Sequence, residues 1–167
     1  MKSNVILIGM SGAGKSTLGV LLAKALGMNF ADTDILIQRR EGMKLQEIID
    51  LRGSEAFLRC EEELLCSLGL SGTVIATGGS AVYSEKGMYH LKKNGTAVYL
   101  RVEKQEILRR LTDITTRGIV RKGTESIAQL YDEREPLYVG FADLTLDCTG
   151  RSVERCVEEL VSLLENN

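Results

Sequence analysis

The sequence predicts an α/β fold, in which helices cover both faces of a central five-stranded parallel sheet. Val5–Ile8 is apolar at every position, which is typical of a strand buried on both faces. Similar short apolar segments alternate with longer segments of helical periodicity. Glycine turns and carboxylates directly follow strands, at the edge where ligands bind to open α/β sheets. At 167 residues, the chain suits a single domain over 1–167.

The short apolar segments define the predicted strands, and the periodic segments define the helices. The strands are Val5–Ile8, Asn29–Ala31, Thr73–Ala76, Ala97–Val102 and Ala142–Leu146. The helices are Lys15–Leu26, Ile35–Glu41, a turn or two around Leu45–Ile49, Ser54–Leu68, Ser84–Lys93, Glu103–Leu111, Glu125–Arg134 and Ser152–Leu164. Pro136, the sole proline, is expected to break the helix that precedes it, because proline lacks a backbone N–H.

The strongest motif is Gly9-Met10-Ser11-Gly12-Ala13-Gly14-Lys15-Ser16-Thr17, which lies between the first strand and the first helix. It matches G-x-x-x-x-G-K-[ST], the phosphate-binding loop. Glycines let backbone N–H groups converge on a phosphate, and the positive end of the helix points to the same place. Lys15 is expected to reach the β- and γ-phosphates, and Ser16 to bind Mg²⁺. The predicted nucleotide-binding residues of this loop are Gly12, Ala13, Gly14, Lys15, Ser16 and Thr17.

Two other strand ends carry candidate site residues. Asp32-Thr33-Asp34 follows the second strand, and Thr77-Gly78-Gly79-Ser80 follows the third. Carboxylates at positions i and i+2 of a strand end project to the same side, so Asp32 and Asp34 can face one cleft, one toward a metal and one toward a hydroxyl. The alternative interpretation is that this Asp-x-Asp only caps the next helix.

Composition argues against several classes of partner. A net charge of −2, from 21 basic and 23 acidic residues, provides no electrostatic footprint for nucleic acid or an anionic membrane. No segment approaches the ~20 apolar residues that span a bilayer. Four cysteines without C-x-x-C spacing and a single histidine argue against a zinc site. We interpret the cysteines as buried thiols in a reducing compartment, and we expect a cytoplasmic protein with no nucleic-acid or membrane partner.

Taken together, these motifs resemble the shikimate kinases, a branch of the nucleoside monophosphate kinase-like P-loop proteins. The resemblance covers nearly the whole chain, with the motifs in the family's order and spacing. They are the Gly9–Thr17 loop with Leu18-Gly19, Asp32-Thr33-Asp34, Thr77-Gly78-Gly79, Arg110, Arg117 and Arg134-Glu135-Pro136-Leu137-Tyr138. The family implies a three-layer αβα P-loop fold with strand order 2-3-1-4-5. It also implies ATP- and Mg²⁺-dependent phosphorylation of an alcohol, shikimate, on the route to aromatic amino acids, and we expect a monomer.

The resemblance further implies roles for single residues. Asp32 is expected to hold the Mg²⁺ shell, and Asp34 to contact substrate hydroxyls and orient the one that attacks. Arg117 resembles the lid arginine that meets the transferring phosphate, and Arg110 resembles the neighbour of the adenine. Arg134 resembles a clamp on the substrate carboxylate. Arginine suits such positions because its planar fork pairs with two oxygens of a phosphate or carboxylate.

Two segments receive roles of their own. The helical segment 34–60 is expected to bind substrate, together with Gly78 and Gly79. The segment 112–124 is basic, contains glycine and is poor in apolar residues, so it is expected to be a mobile lid. Glu61–Glu63 is most simply a solvated helix face, although Glu61 matches a family position that supports the substrate site. His90 is interpreted as a surface helix residue.

The departures from the family lie mainly on the substrate side. The family usually has Phe-Arg, with the arginine on the substrate carboxylate, where this chain has Phe57-Leu58. Arg59 is the nearest replacement, rotated by about 100° around the helix. Ser80 stands in place of a third glycine, and Gly118 in place of a proline. Two alternatives therefore stay open, a paralogue that phosphorylates another polyol or hydroxy acid, and a non-catalytic nucleotide-binding switch.

Overall fold

The computed structural model describes residues 3–112, 119 and 126–166. Its strands are β1 Asn4–Ile8, β2 Asn29–Asp32, β3 Thr73–Ala76, β4 Gly95–Arg101 and β5 Leu144–Asp147. Every neighbouring pair is parallel, and the order across the sheet is β2-β3-β1-β4-β5. The predicted fold class and strand order are confirmed.

The helices of the described segments close both faces of this sheet. They are α1 Lys15–Leu26, α2 Thr33–Glu41, α3 Leu45–Arg52, α4 Ser54–Ser67, α5 Glu85–Lys92, α6 Lys104–Thr112, α7 Ile127–Phe141 and α8 Val153–Glu165, with a 3-10 turn at Ala81–Tyr83. All five residues of β1 are buried, because β1 pairs with β3 and β4 at its edges and has helices above and below. Helix α1 packs against α8, and α4 packs against α5. In the part of the chain described here, no helix is both long and apolar enough to cross a membrane.

The expectation that Pro136 breaks a helix is wrong, because Pro136 lies inside α7. Proline there removes one backbone hydrogen bond, but tertiary contacts hold the helix on both sides of it. Before the proline, the Tyr131 hydroxyl donates to Val102 O at 2.9 Å. After it, the Tyr138 hydroxyl donates to Gly79 O at 2.6 Å. The helix therefore continues to Phe141, and the last strand begins at Leu144 rather than at Ala142.

The segment between β2 and β3 builds a small core of its own. Helices α2, α3 and α4 cover the segment that the sequence assigns to substrate binding. Their buried apolar residues form a cluster separate from the main core; it consists of Ile37, Leu45, Ile48, Phe57 and Leu64. Leu58 packs against this cluster and is half-buried. The side chain at position 58 thus belongs to the apolar support of these helices.

The cysteines differ from one another in exposure. Cys148 and Cys156 are buried, as expected, and Cys60 is half-buried. Cys66 is exposed, so the interpretation of four buried thiols is wrong for this residue. Cys66 falls outside the buried face of α4, which is formed by Phe57, Glu61, Leu64 and Leu65. No group of three or more potential metal ligands occurs among His, Cys, Asp and Glu of the described residues.

Candidate active site

The loop between β1 and α1 depends on glycine for its shape. Gly9, Gly12 and Gly14 have φ values of +146°, +85° and +92°, a region that residues with a Cβ rarely adopt. Gly14 is the N-cap of α1, so the first free N–H groups of that helix face the loop. A Cβ on Gly9 would also lie 2.8 Å from Leu100 O of β4. The loop is therefore shaped to receive an anion at the helix N-terminus.

The Lys15 side chain is drawn into this loop. Its Nζ donates to Gly9 O and Met10 O, both at 2.7 Å, and the residue is only 7% exposed. A buried ammonium needs such partners because desolvation of the charge is expensive. These contacts hold a positive charge beside the backbone of the Gly9–Thr17 loop, which the motif predicts to bind phosphate.

Asp32 makes two kinds of contact at the end of β2. Its Oδ2 accepts a hydrogen bond from Ser16 Oγ at 2.5 Å. Its Oδ1 accepts from the N–H groups of Asp34 and Ile35, at 2.9 and 3.3 Å, which caps α2. Asp32 thus both caps the helix and faces Ser16, so the two interpretations of Asp-x-Asp are not exclusive. The premise that both carboxylates lie on a strand end is wrong, because Asp34 lies in the first turn of α2.

The turn after β3 lets charged groups approach its backbone closely. A Cβ on Gly78 would lie 2.6 Å from Asp34 Oδ1 and 2.9 Å from Glu61 Oε1. A Cβ on Gly79 would lie 2.9 Å from both Arg134 Nη1 and Ser11 Oγ. Neither approach is compatible with a side chain on these residues. The two glycines therefore bring the predicted acceptor residues Asp34 and Arg134 to one wall.

Arg134 is held rigidly in the interior, at 1% exposure. Its Nε donates to the Tyr83 hydroxyl at 3.3 Å, and its guanidinium lies over the Tyr83 ring, with Cζ 5.2 Å from the centroid. A cation held against an aromatic face and a hydroxyl loses little further entropy when it binds an anion. The proline-containing part of α7, through Tyr138 and Gly79, holds the same wall in place.

One cavity joins the loop to this wall. Its volume is about 360 Å³. The lining residues come from the phosphate-binding loop, from α2 and the start of α3, and from the turn after β3; they are Ser11, Gly12, Gly14, Lys15, Ser16, Thr17, Asp34, Gln38, Lys44, Leu45, Gln46, Glu47, Thr77, Gly78 and Gly79. Sequence motifs did not indicate Gln38 or Lys44, since neither belongs to a recognisable pattern. The cavity can hold a phosphate donor and a small polar acceptor side by side.

Glu61 lies in this wall, although the sequence analysis interpreted it most simply as solvated. It is 1% exposed, and its Oε2 accepts a hydrogen bond from Ser80 Oγ at 2.6 Å. Burial raises the pKa of its carboxyl group to about 7, against the lowering effect of the Ser80 hydrogen bond. A signal was present in the sequence, because Glu61 lies four residues after Phe57 and three before Leu64, at the spacing of the buried face.

The remaining predicted residues differ in their positions. Arg110 lies next to the loop, where its Nη1 donates to Gly12 O at 3.0 Å, and its guanidinium also pairs with Glu106. Arg59 is exposed on α4 and does not line the cavity. Arg117 and the predicted lid 112–124 fall largely outside the described residues, so the assignment of the lid stays a prediction. His90 lies on α5, half-buried, with its Nε2 2.8 Å from Leu68 O.

The site combines a phosphate-binding loop on a β2-β3-β1-β4-β5 sheet, a cavity lined by Asp34, and a buried arginine against the Gly79 side of that cavity. This combination defines the class of P-loop kinases. The comparisons narrow this class. The family model for shikimate kinase matches residues 11–165. A shikimate kinase from Thiobacillus denitrificans is 37% identical over 98% of this chain and 91% of its own length. One from Geobacter sulfurreducens is 39% identical over 98% of this chain and 92% of its own length. The chain belongs to the shikimate kinase family, which transfers phosphate to an alcohol.

Solved structures agree with this assignment. A shikimate kinase from Acinetobacter baumannii in complex with shikimate superimposes with a TM-score of 0.89, at 29% identity over 99% of this chain and 94% of that one. The shikimate kinase of Aquifex aeolicus gives a TM-score of 0.85 at 32% identity, over 98% of this chain and 97% of its own. A gluconokinase from Sinorhizobium meliloti, at 19% identity and a TM-score of 0.53, shares the fold alone.

Proposed function

We propose that this protein phosphorylates a hydroxyl group of shikimate with the γ-phosphate of ATP. The observation that carries the proposal is the convergence of Lys15, Asp34 and Arg134 on the surroundings of one cavity, in a chain of the shikimate kinase family. The donor needs a cation at its phosphates, the attacking hydroxyl needs a carboxylate, and the acceptor's own carboxylate needs a buried cation. Each requirement has one residue that suits it.

On the donor side, the loop N–H groups and Lys15 bind the phosphates of ATP. Arg110, whose Nη1 donates to Gly12 O, is assigned to the adenine by resemblance to the family. Ser16 Oγ and Asp32 Oδ2, 2.5 Å apart, are hard oxygen ligands of the kind Mg²⁺ takes, directly or through water. Bound there, Mg²⁺ neutralises phosphate charge. The lid arginine, Arg117, is assigned to the transferring phosphate by resemblance to the family.

On the acceptor side, Asp34 orients the attacking hydroxyl and accepts its proton as the phosphoryl group transfers. Arg134 binds the carboxylate of shikimate, and Gly78 and Gly79 allow the close approach of both groups. Arg59 is assigned to the acceptor carboxylate only because of its position in the sequence. Because Arg59 is exposed, this assignment has less support than that of Arg134.

The test is ADP formation by the purified protein with ATP and Mg²⁺, measured with and without shikimate at millimolar concentration. Shikimate-dependent release of ADP, with one shikimate phosphate formed per ADP, supports the proposal. Turnover that does not change when shikimate is added would overturn it and favour a nucleotide-dependent switch.

One observation favours a second acceptor class. Leu58 packs against the apolar cluster of α2–α4, so position 58 presents no cation to a carboxylate. With leucine at position 58, a neutral polyol, or a hydroxy acid whose carboxylate needs only Arg134, would lose less binding affinity than shikimate. A panel of polyols and hydroxy acids, ranked by kcat/KM beside shikimate, distinguishes the two. If shikimate has the highest kcat/KM of the panel, another polyol or hydroxy acid is excluded as the preferred acceptor.

The proposal extends to the setting of the protein, as a cytoplasmic monomer. The buried free thiols Cys148 and Cys156 support a reducing compartment. Sedimentation equilibrium at micromolar concentration tests the oligomeric state, and the mass of a dimer would overturn the expected monomer.

A further inference from the structure

The wall of the acceptor cavity contains a carboxyl group with only one of its oxygens satisfied. Among the described residues, Glu61 Oε1 is the buried side-chain oxygen without a hydrogen-bond partner. It borders the space beside Gly78 that Asp34 Oδ1 also borders. An oxygen buried in this way is costly unless a proton, a ligand or a neighbouring donor satisfies it. The protonation of Glu61 therefore depends on the groups that occupy the acceptor site.

The other oxygen of Glu61 is held by the hydroxyl group of Ser80. Ser80, which replaces a glycine of the family pattern, donates its Oγ hydrogen to Glu61 Oε2 at 2.6 Å. Both residues are buried. The hydrogen bond fixes the plane of the carboxyl group, so Oε1 faces Gly78 and Asp34. A glycine at position 80 could not provide it.

The charged groups around Glu61 come from several elements. Asp34 of α2 disfavours a second negative charge, whereas Arg134 of α7 and Lys15 of α1 favour one. On α4 itself, the neighbours one turn before and after are Leu58 and Leu65, which carry no charge. Ser80 is the hydrogen-bond partner that stabilises the ionised form. The balance leaves Glu61 able to change its charge near neutral pH.

We propose that Ser80 is a positioning residue of the acceptor site, which holds Glu61 so that the charge on this buried carboxyl group sets how tightly an anionic acceptor binds. The inference rests on the proposed function only for the identity of the acceptor. When Glu61 is neutral, the wall beside Asp34 adds no further negative charge. When it is ionised, it repels the carboxylate of the acceptor and competes for Arg134.

The sign of the effect follows from these contacts. The KM for shikimate should rise as pH increases through about 7, where Glu61 loses its proton. Ser80→Ala removes a bond that favours the ionised form, so Glu61 ionises at higher pH. Loss of a hydrogen bond to a charged group shifts a pKa by about one unit. The pH at which the KM for shikimate rises should therefore be about one unit higher in Ser80→Ala than in the wild type. The KM at pH 6, where Glu61 is neutral in both proteins, should not change.

The experiment measures kcat and KM for shikimate from pH 6 to 9 in the wild type, Ser80→Ala, Ser80→Thr and Glu61→Gln, with the KM for ATP in parallel. Glu61→Gln should keep the low KM at every pH. Ser80→Thr, which retains the hydroxyl, should restore the wild-type profile. The KM for ATP should vary less among the four proteins than the KM for shikimate, because Glu61 lies beside Gly78 and Asp34 rather than in the phosphate-binding loop.

A second measurement needs no acceptor. The carboxyl carbon of Glu61 is followed by NMR during a pH titration of protein labelled with ¹³C-glutamate, and Glu61→Gln assigns the signal. Ser80→Ala should move the midpoint up by about one pH unit. Ser84→Ala is the matched control, because Ser84 Oγ donates to Glu62 Oε2 at the same 2.6 Å but away from the cavity; it should not move the midpoint.

Two results would overturn the proposal. One is an unchanged Glu61 midpoint in Ser80→Ala, which would show that Ser80 does not hold the carboxyl group. The other is a KM for shikimate that still rises with pH in Glu61→Gln. Absence of any shikimate turnover would instead count against the proposed function, and the NMR titration would still decide the link between Ser80 and Glu61.

Discussion

The two halves of the cavity are built in different ways. The nucleotide half comes from one continuous stretch, Gly9–Thr17, whose glycines, lysine and serine all contribute side by side. The acceptor half is lined by α2, the start of α3 and the turn after β3, and α4 and α7 bring Glu61 and Arg134 against that turn. A contiguous motif can be recognised without its partners. A site assembled from distant elements depends on several positions at once, so no single stretch of sequence predicts it.

The difference also appears in the chemistry that holds each half. Lys15 is held by the backbone carbonyl oxygens of Gly9 and Met10, within a single loop. Arg134 and Glu61 are held by the side chains of Tyr83 and Ser80. Substitutions on the acceptor side should therefore alter specificity and pH dependence, whereas substitutions in the loop should remove activity outright.

The largest effect is expected at Lys15. Lys15→Met should lower kcat on the order of 10³-fold or more, because the charge on the transferring phosphate loses its buried cation. The fold should be retained, as judged by circular dichroism. Lys24→Met, a matched loss of an exposed lysine from the same helix, should leave kcat unchanged. A near wild-type kcat in Lys15→Met would contradict a mechanism that depends on the phosphate-binding loop.

Arg134 should affect the acceptor half alone. Arg134→Lys keeps the charge but loses the planar guanidinium group, so the KM for shikimate should rise at least ~30-fold, with a smaller change in the KM for ATP.

Arg59→Ala tests the other arginine predicted to bind the acceptor. Because Arg59 is exposed whereas Arg134 is buried beside Gly79, the loss of Arg59 should change the KM for shikimate by no more than about twofold. A larger effect of Arg59 than of Arg134 would reverse these assignments.

Glu61 should make stability depend on pH. Its pKa is about 7 in the folded chain against 4.5 for the unperturbed group, so the folded state binds the proton more tightly. The stabilisation is complete below pH 4.5 and is lost as pH rises to about 7, by roughly 3 kcal/mol in total. Urea unfolding at several pH values should show that Glu61→Gln removes this loss. Glu62→Gln should keep the wild-type slope, since it leaves Glu61 in place, and an identical slope in both variants would contradict the expectation.

The effect expected at Leu58 is smaller than those at Lys15 and Arg134. Leu58→Arg places a cation one turn from Glu61 on α4, so the KM for shikimate should fall about tenfold if shikimate is the acceptor. Leu51→Arg is the matched control, since Leu51 is 75% exposed. If the acceptor is uncharged where it meets Leu58, the same substitution should instead raise its KM. Steady-state rates with shikimate and with the best polyol separate these outcomes.

Much of the fold could be predicted from local pattern. The apolar run of β1, the bounds of α1, the amphipathic spacing of α8 and the glycine stops at Gly27 and Gly42 depend on neighbouring residues only, and the structure confirms them. The phosphate-binding loop belongs to the same group, because its glycine angles and its helix are encoded within nine residues.

Tertiary structure decided the remainder. Pro136 lies inside α7 because Tyr131 and Tyr138 hold the helix to distant strands and turns, and helix propensity alone could not show this. Glu61 is buried because α4 turns that face toward Ser80 and Asp34, which meet it only after the chain folds. The sequence by itself determined the sheet, its order through the family, and the nucleotide loop. The acceptor wall was decided by contacts between residues far apart in the chain, since burial and hydrogen bonding there depend on which elements pack together.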